Sequence, residues 1–260
     1  MPLPTKPGLV SVNLKLARAH EHLQAIATLD ESFEAVDCKV TFTEDHEKNI
    51  GFFVIGLPTP PLVLGTIVGD CLHNLRSTLD YLVWQMVNSN PPEKPGRRNM
   101  FPICSSGKNF DAQVKSGRLA GVPALAAEII ERFQPFDDAD HPLALLDKLY
   151  NADKHQDLNF TISVASDLDI SYSRNGAVYL RTILGNDEVR DGAILGNVGI
   201  PLGMVESLPE VQIHGQAACF LAFKDHVTKW DDTIGVAETL GEIRDYIADT
   251  VLPSLAPFIH

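Results

Sequence analysis

Between residues 62 and 88 the apolar positions Val68, Leu72, Leu75, Leu79, Leu82 and Met86 recur at alternating spacings of four and three. That rhythm is the seam of a long helix packed in a bundle. At about 100° per residue, Asp70, His73, Arg76, Ser77, Asp80, Tyr81 and Trp84 fall on the opposite side, spread over roughly 140° of arc. One side of the helix is built to be buried. The other gathers acids, an imidazole, a guanidinium and two aromatic rings.

The remaining pattern divides the chain. Leu16, Ala19, Leu23, Ile26 and Leu29 give a helical stripe over residues 11–36, with Ser11 or Asn13 as candidate caps. Residues 38–56 switch to period two around a polar turn and read as a hairpin, which the prolines at 58, 60 and 61 end. A proline-rich loop follows the long helix, then the short extended piece Phe101-Pro102-Ile103. Helices are expected near 108–117, 123–133 and 143–155. From Leu158 strict alternation takes over. It continues through two strands joined by Asn175-Gly176, a dipeptide that marks hairpins, and then through strands at 192–200 and 210–223. Val236, Leu240, Ile243, Ile247 and Val251 form a closing amphipathic helix that stops near Pro253. The expectation is one α+β domain, a helical bundle packed with an antiparallel β-sheet. Its helical part is 1–156, its mainly β part 157–228 and its last helix 232–252; two subdomains dividing near Asp157 are the alternative.

Composition narrows the function classes. With 45% hydrophobic and 21% charged residues among 260, the chain has the make-up of an ordinary globular protein. A formal net charge of -13 argues against a broad nucleic-acid or anionic-membrane surface, though not against a local basic pocket. The four cysteines form no CxxC pair, and Cys71 lies in the apolar run as a small buried thiol. No signal-peptide stretch opens the sequence, so a reducing cytoplasm is expected. There is no GxSxG, HExxH, Walker loop or GxGxxG fingerprint.

Two constellations carry chemistry. On the long helix, Asp70 lies one turn before His73, and His73 one turn before Arg76 and Ser77. A carboxylate beside an imidazole raises its basicity, and a guanidinium can grip a phosphate or carboxylate. The alternative is a polar face with local ion pairs, including Arg76 with Asp80. Tyr81 and Trp84 are costly on a merely solvated face, which calls for a second chain, the sheet or a ligand to cover them. The second constellation, Asn151-Ala152-Asp153-Lys154-His155, ends a helix, where its cations suit the macrodipole. If the two helices touch, His73, Arg76, Asp80, Asp153, Lys154 and His155 converge on one cleft as catalytic candidates, with Asp70, Asn74, Tyr81, Trp84 and Asn151 binding ligand. His20 and His22 diverge on the first helix and read as surface residues.

LHNLRSTLDYLVWQ (72–85), the FPI segment and LDKLYNADKHQ (146–156) resemble a bacterial family of unknown function, whose members typically read LHNLRSALDHLVW and LxxLxNxDKHR. The R-x4-H spacing of such members is similar to the signature of the HEPN superfamily, helical-bundle proteins that include dimeric metal-independent ribonucleases. There the arginine and histidine act on the scissile phosphate and the ribose 2′-hydroxyl. The resemblance implies a homodimer that binds RNA or a nucleotide, with no cofactor, and Arg76 matches the arginine. Tyr81 stands where the histidine would be, and a phenol with a pKa of about 10 is a poor base at neutral pH. Ser77 replaces the usual polar amide or acid, and Gln156 the arginine of the second motif. The resemblance therefore implies a degenerate ribonuclease or a phosphate-binding relic. Two other classes stand beside it. One is a metal-assisted hydrolase using Asp70, His73, Asp153 and His155; the other is an interaction protein in which the polar cluster fixes helix register.

Overall fold

The computed structural model describes residues 6–32, 39–57, 59–155, 158, 160–166, 168–174, 177–184, 189–190, 194–201, 210–214, 217–223 and 235–260. The class is α+β, with a helical bundle and antiparallel sheets. The chain divides into two compact units: residues 1–27, 62–159 and 225–260 form one, and residues 28–61 and 160–224 the other.

The first unit is helical. A 3-10 turn, Pro7–Leu9, leads into α1 (Val10–Glu31), followed by α2 (Val63–Asn88), α3 (Gly107–Lys115), α4 (Ala124–Arg132) and α5 (Pro142–His155). The C-terminal helix runs as α6 (Val236–Tyr246), a π turn (Ile247–Val251) and α7 (Leu252–Leu255). All six seam positions of α2 are fully buried, as are the five stripe positions of the last helix. In this unit α2 packs against α5 and α6, and α5 against α6. Pro7 opens the helical stretch with a ring that presets φ and has no N–H to satisfy. Ser11 and Asn13 therefore lie inside α1 and cap nothing. The Ser11 hydroxyl accepts from Gln85 at 3.3 Å, and Asn13 Oδ1 is buried without a hydrogen-bond partner. Residues 33–36 of the expected first helix lie outside the described residues. Nor does Pro253 end the last helix. The π turn before it shifts the backbone bonding, and a final α turn forms beyond. No described helix is long and apolar enough to cross a membrane.

The second unit is antiparallel β. The hairpin β1 (Lys39–Asp45) and β2 (Ile50–Gly56) pairs in register from Lys39 with Gly56 to Asp45 with Ile50, and Asn49 turns at φ 54°. β2 then pairs with β7 (Ile194–Pro201), so this hairpin belongs with the later strands rather than with the helical part. β3 (Phe160–Ser166) lies between β6 (Val189–Arg190) and β9 (Ala217–Phe223). β4 (Leu168–Arg174) lies between β5 (Ala177–Leu184) and β8 (Glu210–His214). The stretch 210–223, read as one strand, is thus two strands in two different sheets. The Asn175-Gly176 turn lies outside the described residues, but Arg174 and Ala177 on either side of it are register partners.

Candidate functional site

The two motif-bearing helices of the helical unit meet. At Gly69 the approach is so close that a Cβ would lie 2.7 Å from Asp153 Oδ1. A glycine inside a helix costs about 1 kcal/mol relative to alanine. At this position it makes room for the end of α5.

Arg76 and Asp80 do not face an open cleft. Arg76 is only 6% exposed, and its Nη2 donates to Asp80 Oδ1 at 3.0 Å and to the Phe101 carbonyl at 2.5 Å. The Phe101 N–H donates back to the same Asp80 oxygen at 2.9 Å. The pair therefore clamps the extended FPI segment onto α2, with the Phe101 ring fully buried. Burial pushes the Asp80 carboxyl up, against the pull of Arg76, the Phe101 N–H, Arg118 and Lys154. The other guanidinium nitrogen, Nη1, is buried with no hydrogen-bond partner. Arg76 lies at the edge of the polar arc, where a helix turns from solvent to core. Its partner comes from 25 residues downstream.

The accessible chemistry centres on His73. Its Nε2 lies 3.5 Å from Ser77 Oγ and its Nδ1 3.5 Å from the Tyr150 hydroxyl on α5. These are long, weak contacts, so the imidazole nitrogens can exchange them for stronger partners. The His73 and Tyr150 rings are 6.2 Å apart, and Lys154 Nζ sits 3.8 Å from the centre of the Tyr150 ring. Asp153 is half-buried; burial and Asp70 push its carboxyl up while His73 pulls it down. Asp70, His73 and Asp153 are therefore electrostatic neighbours across the two helices.

The other expected site residues take varied places. Asn74 is buried, donating to the Asp70 carbonyl at 2.7 Å and accepting from Lys15 Nζ at 3.2 Å. Asn151 donates to Asp147 Oδ2 at 3.1 Å. His155 is exposed at the end of α5, and Gln156 lies outside the described residues. Tyr81 and Trp84 are 40% and 43% exposed, with Lys15 Nζ 5.9 Å from the Tyr81 ring centre. On α1, His20 is exposed, while His22 is held below the usual imidazole range by partial burial and Arg18, with Asp70 and Glu21 opposing.

Tyr150 and Asp147 were not singled out by sequence reasoning. The signal lay in α5 spacing, since Tyr150 precedes Lys154, and Asp147 precedes Asn151, by one helical turn. Among the described residues, no three His, Cys, Asp or Glu side chains come together to hold a metal ion, so Asp70, His73, Asp153 and His155 do not form a ligand set. No protein-family model matches the chain, and neither a curated protein nor a solved structure matches it.

Proposed function

We propose that the α2–α5 surface around His73 binds a phosphate-bearing ligand, an RNA strand or a nucleotide, in an HEPN-like protein whose cleaving ability is reduced or lost. The observation that carries this reading is the convergence of Ser77 and Tyr150, from two helices, onto the exposed His73 imidazole, with Lys154 over the Tyr150 ring. Two hydroxyls and an imidazole can donate to phosphate oxygens, and the ammonium supplies charge. His73 is the candidate base, and Asp153 on α5 is its acidic neighbour across the two helices. Arg76 plays a positioning part, because its Nη2 is already shared between Asp80 and Phe101. That commitment favours binding over the arginine-assisted cleavage the R-x4-H resemblance implies.

In the same reading a second copy docks on the exposed Tyr81 and Trp84, with Leu14 of α1 also outward-facing. The cytoplasm is the compartment proposed, where free thiols such as Cys71 and Cys104 persist.

Anisotropy titrations with fluorescein-labelled single-stranded RNA and with a labelled nucleotide test the binding. Lys154→Ala and His73→Ala should each weaken binding about tenfold, a loss of roughly 1.4 kcal/mol, and added salt should weaken it further. Affinity untouched in both variants would sink the proposal.

The register-fixing role has its own support in the Arg76–Asp80–Phe101 clamp, which joins α2 to the FPI segment whatever the surface binds.

A further inference from the structure

A cavity of about 830 Å³ opens in the helical unit between residues 103–106, α3, the 135–139 turn and the start of α5. None of its lining residues belongs to the His73 surface, and its volume suits a small organic ligand. The walls carry three carboxylates, Asp137, Asp138 and Asp147, against one ammonium, Lys148. Asn109 and Gln113 add neutral amide groups to the lining.

This lining selects among ligand classes. Anions are repelled by the acid excess. Flat aromatic and sugar rings find no aromatic side chain on the wall to stack against. A bare metal ion finds no converging set of three carboxylates, thiols or imidazoles among the described residues. An extended organic cation meets every condition.

We propose that the cavity binds a small amine with two or more ammonium groups, one against Asp147 and another against the Asp137–Asp138 pair. Asp147 is the inner anchor. Its Oδ2 is oriented by the Asn151 amide at 3.1 Å. Burial pushes its carboxyl up although Arg76, Arg118, Lys154 and the Asn151 amide pull it down, so a cation arriving at Asp147 favours its charged form. Asp137 and Asp138 belong to the 135–139 turn that lines the same cavity.

Spermidine, putrescine and n-butylamine, titrated calorimetrically into the full chain at 0.15 M salt, test the proposal. A chain of net charge -13 attracts polyamines diffusely, so stoichiometry and controls decide the outcome. One equivalent of spermidine should bind per chain, and butylamine at least tenfold more weakly. Asp147→Asn should cost at least tenfold. Ala112→Leu, which fills the wall from an exposed helix position and removes no charge, should cost about as much. Glu238→Gln, an exposed acid on α6, should change nothing. Several weak equivalents, or equal losses from Glu238→Gln and Asp147→Asn, would show a diffuse counter-ion atmosphere and overturn the site. Absence of binding at millimolar spermidine would overturn it as well.

Discussion

The Asp153 carboxylate rests against the bare Cα of Gly69, 2.7 Å from where a side-chain carbon would begin. Gly69→Ala thus sets two effects against each other. Helix propensity favours alanine by about 1 kcal/mol, while the clash pushes a short, half-buried side chain off its place. Because the carboxylate is the free end of a rotatable side chain, moving it is cheap, and the two effects should nearly cancel in urea unfolding. In an Asp153→Ala background the same change should become stabilising. A cycle with no coupling between the two positions would disprove the contact.

Asp80 is the hub of the FPI clamp. Removing it strands the Arg76 guanidinium with Nη1 already unpartnered, and such losses run to about 3–5 kcal/mol. Because the Asp80 side chain keeps 23% of its surface exposed, the lower end is expected, about 3 kcal/mol for Asp80→Ala. The double variant Arg76→Met/Asp80→Leu should be more stable than either single alanine change. If the losses were simply additive, the clamp would not be a coupled unit.

Burial raises the Asp147 carboxyl above the ordinary aspartate value of 3.8. In the interval between 3.8 and its folded pKa, the folded chain holds a proton the unfolded chain has released. Stability therefore falls as pH rises through that interval, and the cost of the buried charge is fully present above it. Asp147→Asn, neutral at every pH, should be more stable than the parent at pH 7. That advantage should vanish near pH 4. Paired urea titrations at the two pH values measure it, and an advantage unchanged at low pH would contradict the assignment. The same substitution is expected to weaken amine binding, a trade of function for stability.

Burial pushes the Cys71 thiol up to about 12, and Cys104 is also raised. Both should resist iodoacetamide in the native protein and react only on unfolding, because the thiolate is the nucleophile. Peptide mass spectrometry distinguishes these two thiols from Cys38 and Cys219. Rapid labelling at Cys71 in the native state would show that α2 opens there.

Local periodicity made the helices legible. Leu72, Leu79 and Ile243 declare their faces without any knowledge of partners, and each is fully buried. Features set by distant chain were not legible. Arg76 belongs to the polar arc by angle, yet Phe101 draws it into the interior. Ser11 and Asn13 have the chemistry of caps, but Pro7 starts the helix before them. Alternation marked residues 210–223 as extended, but pairing with β4 and β3 divides them between sheets. The contact between the two motif helices depends on Gly69, whose role appears only when Asp153 is opposite it.

The division of the helical unit among three chain segments also bears on how the protein is made. α6, which packs on both α2 and α5, lies beyond the whole 160–224 segment. At roughly 5–20 residues per second, a ribosome takes on the order of ten seconds to pass from the end of α5 to the start of α6. During that interval the apolar seams of α2 and α5 have emerged without their final cover. The helical unit thus closes only when its last segment arrives, and a fragment that stops at residue 156 lacks the α6 cover altogether.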